Sequence, residues 1–204
     1  MVRLETGPSR TPDFEVKASG SRLVAEIKEF TPNPHDEEQA RAKARGGAVV
    51  TSLDGRRVRR AIEDAGPQLK KFRDEHIPTV VFLFDKLSLM AFARTLGVPI
   101  SPPKQIEWGM YGQHAVDYEV PVLCSPIYLG DRRGGNRELT NEQRTYVSAV
   151  AVLAEGGDSA WYYHNYFATV QLSRAVLNDE RDRHFHNPSH PLETASAGWA
   201  ELLF

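Results

Sequence analysis

Residues 12–30 read PDFEVKASGSRLVAEIKEF. Two apolar runs, 14–16 and 23–30, flank a short stretch carrying Ser19, Gly20 and Ser21. A Gly/Ser break between such runs predicts a hairpin or another tight connection. Successive side chains of a strand point to opposite faces. In the second run Leu23, Ala25, Ile27 and Glu29 therefore share one face, and Val24, Glu26, Lys28 and Phe30 share the other. Glu26 and Lys28 become neighbours on a surface that also carries Val24 and Phe30. If the two runs pair, Asp13 reaches the same end of the sheet. Two carboxylates meeting there can hold a hard divalent cation through oxygen ligands. Mg²⁺ suits such a site because it keeps several waters and needs few protein ligands; Mn²⁺ is its natural substitute. An ammonium group beside that cation would orient water or stabilise charge developing on a phosphate.

Further along, residues 57–75 are predicted to be helical, with Ile62, Leu69 and Phe72 on one stripe and Gly66-Pro67 as an interruption. Residues 78–84, dense in β-branched and aromatic side chains, predict a buried central strand. Shorter helices are expected near 36–44, over 87–96 and over 168–177, and strands over 106–111, 120–124 and 161–167. Residues 131–137 read as a polar glycine loop. A longer helix is expected over 140–155, from the capping-box spacing of Thr140 and Gln143 and the stripe Tyr146, Val150, Leu153.

These residues and their order resemble the motif of the PD-(D/E)XK nuclease superfamily. The resemblance implies an α/β restriction-endonuclease-like fold, a mixed central sheet flanked by helices, and covers about residues 10–85. It implies that Asp13 and Glu26 bind the metal with the main-chain carbonyl of Ile27, and that Lys28 is the catalytic lysine. Some branches add a QxxxY motif on the next helix. Gln68 takes the glutamine position, with Phe72 in place of the tyrosine. The family also places a helix, often with an acidic residue, ahead of the Asp strand; here Glu5 is the acidic candidate. The implied activity is Mg²⁺-dependent hydrolysis of DNA, and paired cuts imply a homodimer. A nuclease-like core is then expected over 1–98, further strands and helices packed on it over 99–178, and a loosely packed tail over 179–204. The alternative is a module of the same fold that binds nucleic acid or protein without turnover.

Composition narrows the partners. The chain has 204 residues, 41% of them hydrophobic and 25% charged, enough for a core and too ordinary for global disorder. A formal net charge of −2 excludes a uniformly basic nucleic-acid binder, so local patches matter. Residues 41–75 hold ten Lys or Arg against five Asp or Glu. Arg56, Arg57, Arg59 and Arg60 there, and more weakly Arg132 and Arg133, either track a phosphate backbone or form a solvated face. The lone Cys124 excludes an internal disulfide and fits the core of a cytoplasmic protein. No apolar run has membrane-spanning length, and the first residues lack a signal-peptide core, so no membrane partner is expected. His164 and Asn165 lie among aromatic residues and read as a partly buried, hydrogen-bonded pair. His184, His186 and His190 sit in the polar tail without regular ligand spacing.

Overall fold

The computed structural model describes residues 2–3, 11–18, 20–30, 41, 45, 55–85, 102–112, 114–119, 127–133, 137–154, 158–177, 179–188, 190–191 and 199–202. Most of it is built on one mixed sheet. In chain order the strands are β1 (Val2–Arg3), β2 (Phe14–Ala18), β3 (Ser21–Phe30), β4 (Thr79–Asp85), β5 (His114–Glu119), β6 (Ile127–Arg133), β7 (Val147–Ala154), β8 (Ala160–His164), β9 (Arg183–His186) and β10 (Ala200–Glu201). The helices are α1 (Arg56–Leu69) and α2 (Pro102–Tyr111), with 3₁₀ turns at Lys70–Arg73 and Arg174–Val176. The main sheet runs β1-β2-β3-β4-β7-β8-β9-β10, and β5 pairs with β6 separately. The protein is thus mixed α/β. No helix among the described residues is long and apolar enough to cross a membrane.

The hairpin forms as the pattern predicts, with Phe14 opposite Ala25 and Val16 opposite Leu23. β3, β4 and β7 then run parallel. Parallel neighbours need a crossover, and α1 supplies the one between β3 and β4. Its buried residues Val58, Ala61, Ile62, Ala65 and Leu69 recur at helical spacing. They share one core cluster with Val24, Phe30, Val81, Leu83, Val150, Tyr163 and Phe185. Leu23, Ala25, Val80, Phe82, Ala149, Ala151 and Tyr162 lie in a second cluster with Leu172 and Val176. Both faces of the central strands are therefore covered, and the two faces of β3 divide as its alternation requires. α1 passes unbroken through Gly66-Pro67 and tightens into the 3₁₀ turn only after Leu69, so the interruption expected at Gly66-Pro67 does not form.

α2 crosses α1 closely. A methyl group added at Gly109 would come within 2.5 Å of Val58 Cβ and 3.1 Å of the Arg59 amide nitrogen. Neither atom is the far end of a flexible side chain. Gly109→Ala is expected to cost up to about 2 kcal/mol, the overpacking penalty less the helix-propensity gain. Urea denaturation checks this as a lowered midpoint at unchanged slope.

Several expected elements differ. The helix expected over 140–155 does not form across 140–154: residues 140–146 are irregular and Val147–Ala154 is the central strand β7. The Thr140 signal is real but serves a turn, because its hydroxyl accepts the N–H groups of Glu142 and Gln143. Val147–Val152 is buried on both faces, so it shows no period that separates strand from helix. Residues 106–111 belong to α2 rather than a strand, with Ile106 and Met110 one turn apart in the core. The expected helix over 168–177 is only the turn Arg174–Val176. Residues 131–133 lie in β6. The expected loose tail supplies β9 and β10 to the main sheet, with His184 and Phe185 buried. The elements expected over 87–96 and 120–124, Cys124, Glu5 and nearly all of 36–44 lie outside the described residues.

Candidate active site

The Val24 amide donates to the Pro78 carbonyl on the β4 side, at 3.0 Å. Alternate residues of a strand direct their backbone groups to opposite neighbours, so Ile27 faces β2. β2 begins only at Phe14, and Asp13 lies just before it. Asp13 Oδ2 accepts the Ile27 N–H at 2.8 Å. The carboxylate thus takes the place of the next ladder carbonyl and is fixed against the middle residue of the Glu26-Ile27-Lys28 triplet. The Ile27 carbonyl turns to the same side as its N–H.

Glu26 lies on the α1 face of β3 and is only 4% exposed. Its Oε1 accepts two donors, Lys28 Nζ at 2.8 Å and Gln68 Nε2 at 3.2 Å. Gln68 comes from the last turn of α1, so the crossover helix brings it over the strand. Glu26 Oε2 and Gln68 Oε1 are buried without a hydrogen-bond partner. An unsatisfied buried oxygen costs about 1–3 kcal/mol, more when charged. Burial pushes the Glu26 carboxyl above its ordinary range; the Lys28 hydrogen bond and charge oppose this, and the charge of Asp13 adds to it. Among the described residues no three His, Cys, Asp or Glu side chains converge as metal ligands. The protein groups gathered here are two carboxylates, one backbone carbonyl, one ammonium and one amide. That set fits an ion that keeps most of its own waters, and a desolvated carboxylate with one unsatisfied oxygen, as Glu26 is, is the kind of group a cation relieves.

The structure therefore brings Asp13, Glu26, Ile27, Lys28 and Gln68 together. It does not bring Arg56, Arg57 and Arg60 to them. Those residues lie in the first turns of α1, and Arg57 precedes Gln68 by eleven residues, roughly 17 Å along a helix. Phe72, in the position of the motif's tyrosine, is buried in the core. The side chains of Arg132 and Arg133 lie outside the described residues.

The polar pair near the end of β8 is buried and bonded as expected. Asn165 Nδ2 donates to the Val147 carbonyl at 2.8 Å, and its Oδ1 accepts the Phe167 N–H at 3.0 Å. His164 Nε2 lies 2.9 Å from His184 Nδ1, one nitrogen donating and the other accepting. Burial, then the positive fields of His184, Arg174 and His186, lower the His164 pKa to about 4. The partner His184 was not expected in the core. Its only local signal is the single apolar residue Phe185 between two histidines.

No protein-family model, curated protein or solved structure matches this chain.

Proposed function

We propose that the protein is a Mg²⁺-dependent nuclease that hydrolyses phosphodiester bonds of DNA, with a restriction-endonuclease-like core of the PD-(D/E)XK kind. The observation that carries this reading is the contact set around Glu26, with Asp13 anchored on Ile27 beside it and Lys28 and Gln68 both on its Oε1. The order hairpin, crossover helix, parallel strand supports it, because that order delivers all four side chains to one place. Mn²⁺ is the expected substitute metal, a cytoplasmic location fits the single cysteine, and a homodimer would make paired cuts.

Asp13, Glu26 and the Ile27 carbonyl would hold the cation. When bound, such an ion polarises a phosphoryl oxygen and lowers the pKa of a bound water. Lys28 supplies a positive charge next to the carboxylates, placed to stabilise charge developing on a phosphate. Gln68 holds Glu26 Oε1 and so fixes which way the carboxylate turns. Arg56, Arg57 and Arg60 can contact DNA only as a backbone-tracking patch away from the reacting atoms.

Linear and supercoiled DNA incubated with the protein should be cut in Mg²⁺ or Mn²⁺ and spared in chelator. Lys28→Ala should lower the rate about 10²–10³-fold, the usual loss for a group that stabilises developing charge. Cleavage by Lys28→Ala at the wild-type rate would remove the lysine from the reaction.

A further inference from the structure

We infer that Lys28 and the divalent cation compete for Glu26, so that the lysine lowers the site's cation affinity and leaves its carboxylate partner when the ion is taken up. This rests on the proposed nuclease reading and adds a loading step to it. Glu26 and Lys28 are two residues apart on one strand face, so their side chains leave the sheet in parallel. The Lys28 ammonium sits 2.8 Å from Glu26 Oε1, and the same oxygen accepts Gln68. Glu26 is almost wholly enclosed, its side chain 5% exposed, whereas that of Lys28 is 24% exposed. The carboxylate cannot turn away from its strand and helix, but the ammonium has a four-carbon stem and an open side. A cation held by Glu26 and Asp13 would stand within a few ångströms of that ammonium, with three positive charges in a poorly solvated space. Like charges so placed repel strongly at the dielectric of a partly buried site. The movable member is Lys28. Its departure turns the ammonium from an ion-pair partner into a group free to meet a phosphate, so cation uptake and lysine placement become one event. Gln68 has no charge to repel and keeps its bond to Oε1 throughout.

The test is a calorimetric Mn²⁺ titration of the chelator-treated full chain. Lys28→Met keeps the stem without the charge, and Lys28→Gln serves if the methionine variant does not fold. The neutral variant should bind Mn²⁺ about tenfold more tightly than wild type, as expected when a like charge leaves a partly buried site. Equal or weaker binding by the neutral variant overturns the competition and leaves the nuclease reading standing. No Mn²⁺ uptake by either protein overturns both.

Discussion

Glu26→Gln is expected to raise the melting temperature at pH 7.5 in the presence of chelator and to remove cleavage. In the folded protein the Glu26 carboxyl titrates above its ordinary value, because burial outweighs the help from Lys28. The fold therefore takes up a proton more readily than the unfolded chain does. Folding carries no such penalty below the unfolded pKa, and the penalty grows as pH rises through the folded one. Glutamine has no charge to desolvate, and its carbonyl oxygen can still accept from Gln68 and Lys28. The melting temperature should rise, by about 2–4 °C for each kcal/mol of penalty removed in a domain of this size. The gain should shrink toward pH 4, as Glu26 takes up its proton first in the folded and then in the unfolded chain. Cleavage should fall about 10²–10³-fold. A side chain whose removal stabilises the fold while ending the reaction is retained for chemistry. Thermal melts at both pH values, with the DNA assay, check the pair of effects. A lower melting temperature for the variant at pH 7.5 would show that the charge supports the fold.

Acidification should unfasten the other end of the sheet. The His164 pKa is lowered to about 4 by burial and by the charges of His184, Arg174 and His186. Burial and Arg174 also lower His184, against the Leu177 carbonyl and Asp182, which raise it. A histidine held neutral stabilises the fold fully above its unfolded pKa near 6.5, and that stability is lost as pH falls toward 4. The span of the His164 shift corresponds to about 3 kcal/mol, a large part of a domain's net stability. This side chain is 8% exposed, so water screens little of it. His164 faces His184 at 2.9 Å, and His184 Nε2 lies 3.3 Å from the Leu177 carbonyl. Protonating both rings sets two charges against each other where β9 joins β8. Urea titrations at pH 7.0, 5.5 and 4.5 should show stability falling steeply. His164→Gln, which keeps a hydrogen-bonding group, should flatten the fall. Parallel pH profiles for the two proteins would place the acid sensitivity elsewhere. Glu26 acts with the opposite sign, since falling pH relieves it.

The residues that could be read in advance share one property: their pattern is local. β3 shows its two faces because apolar and charged side chains alternate over residues 25–28, and the period of two along a strand puts Glu26 beside Lys28. The hairpin follows from the break at Ser19–Ser21, and α1 from its buried stripe. β7 could not be read, because Val147–Val152 is covered on both faces and small throughout. β9 could not be read either. Four residues with one apolar side chain become a strand only by pairing with β8, and that partner is set by long-range packing. The same division holds in the site. Asp13, Glu26 and Lys28 follow from strand period and hairpin. The reach of Gln68 to Glu26 depends on how α1 lies over the sheet, and the distance of Arg56 and Arg57 depends on which end of α1 faces the carboxylates.

The most direct test of the metal site is a count of bound Mn²⁺ by electron paramagnetic resonance, in which free ion gives the signal that bound ion loses. Wild-type protein should take up one ion per chain, and Asp13→Ala, which also strips the Ile27 amide of its acceptor, should take up none. Equal uptake by the two proteins, or no uptake by wild type, would contradict a cation held between Asp13 and Glu26.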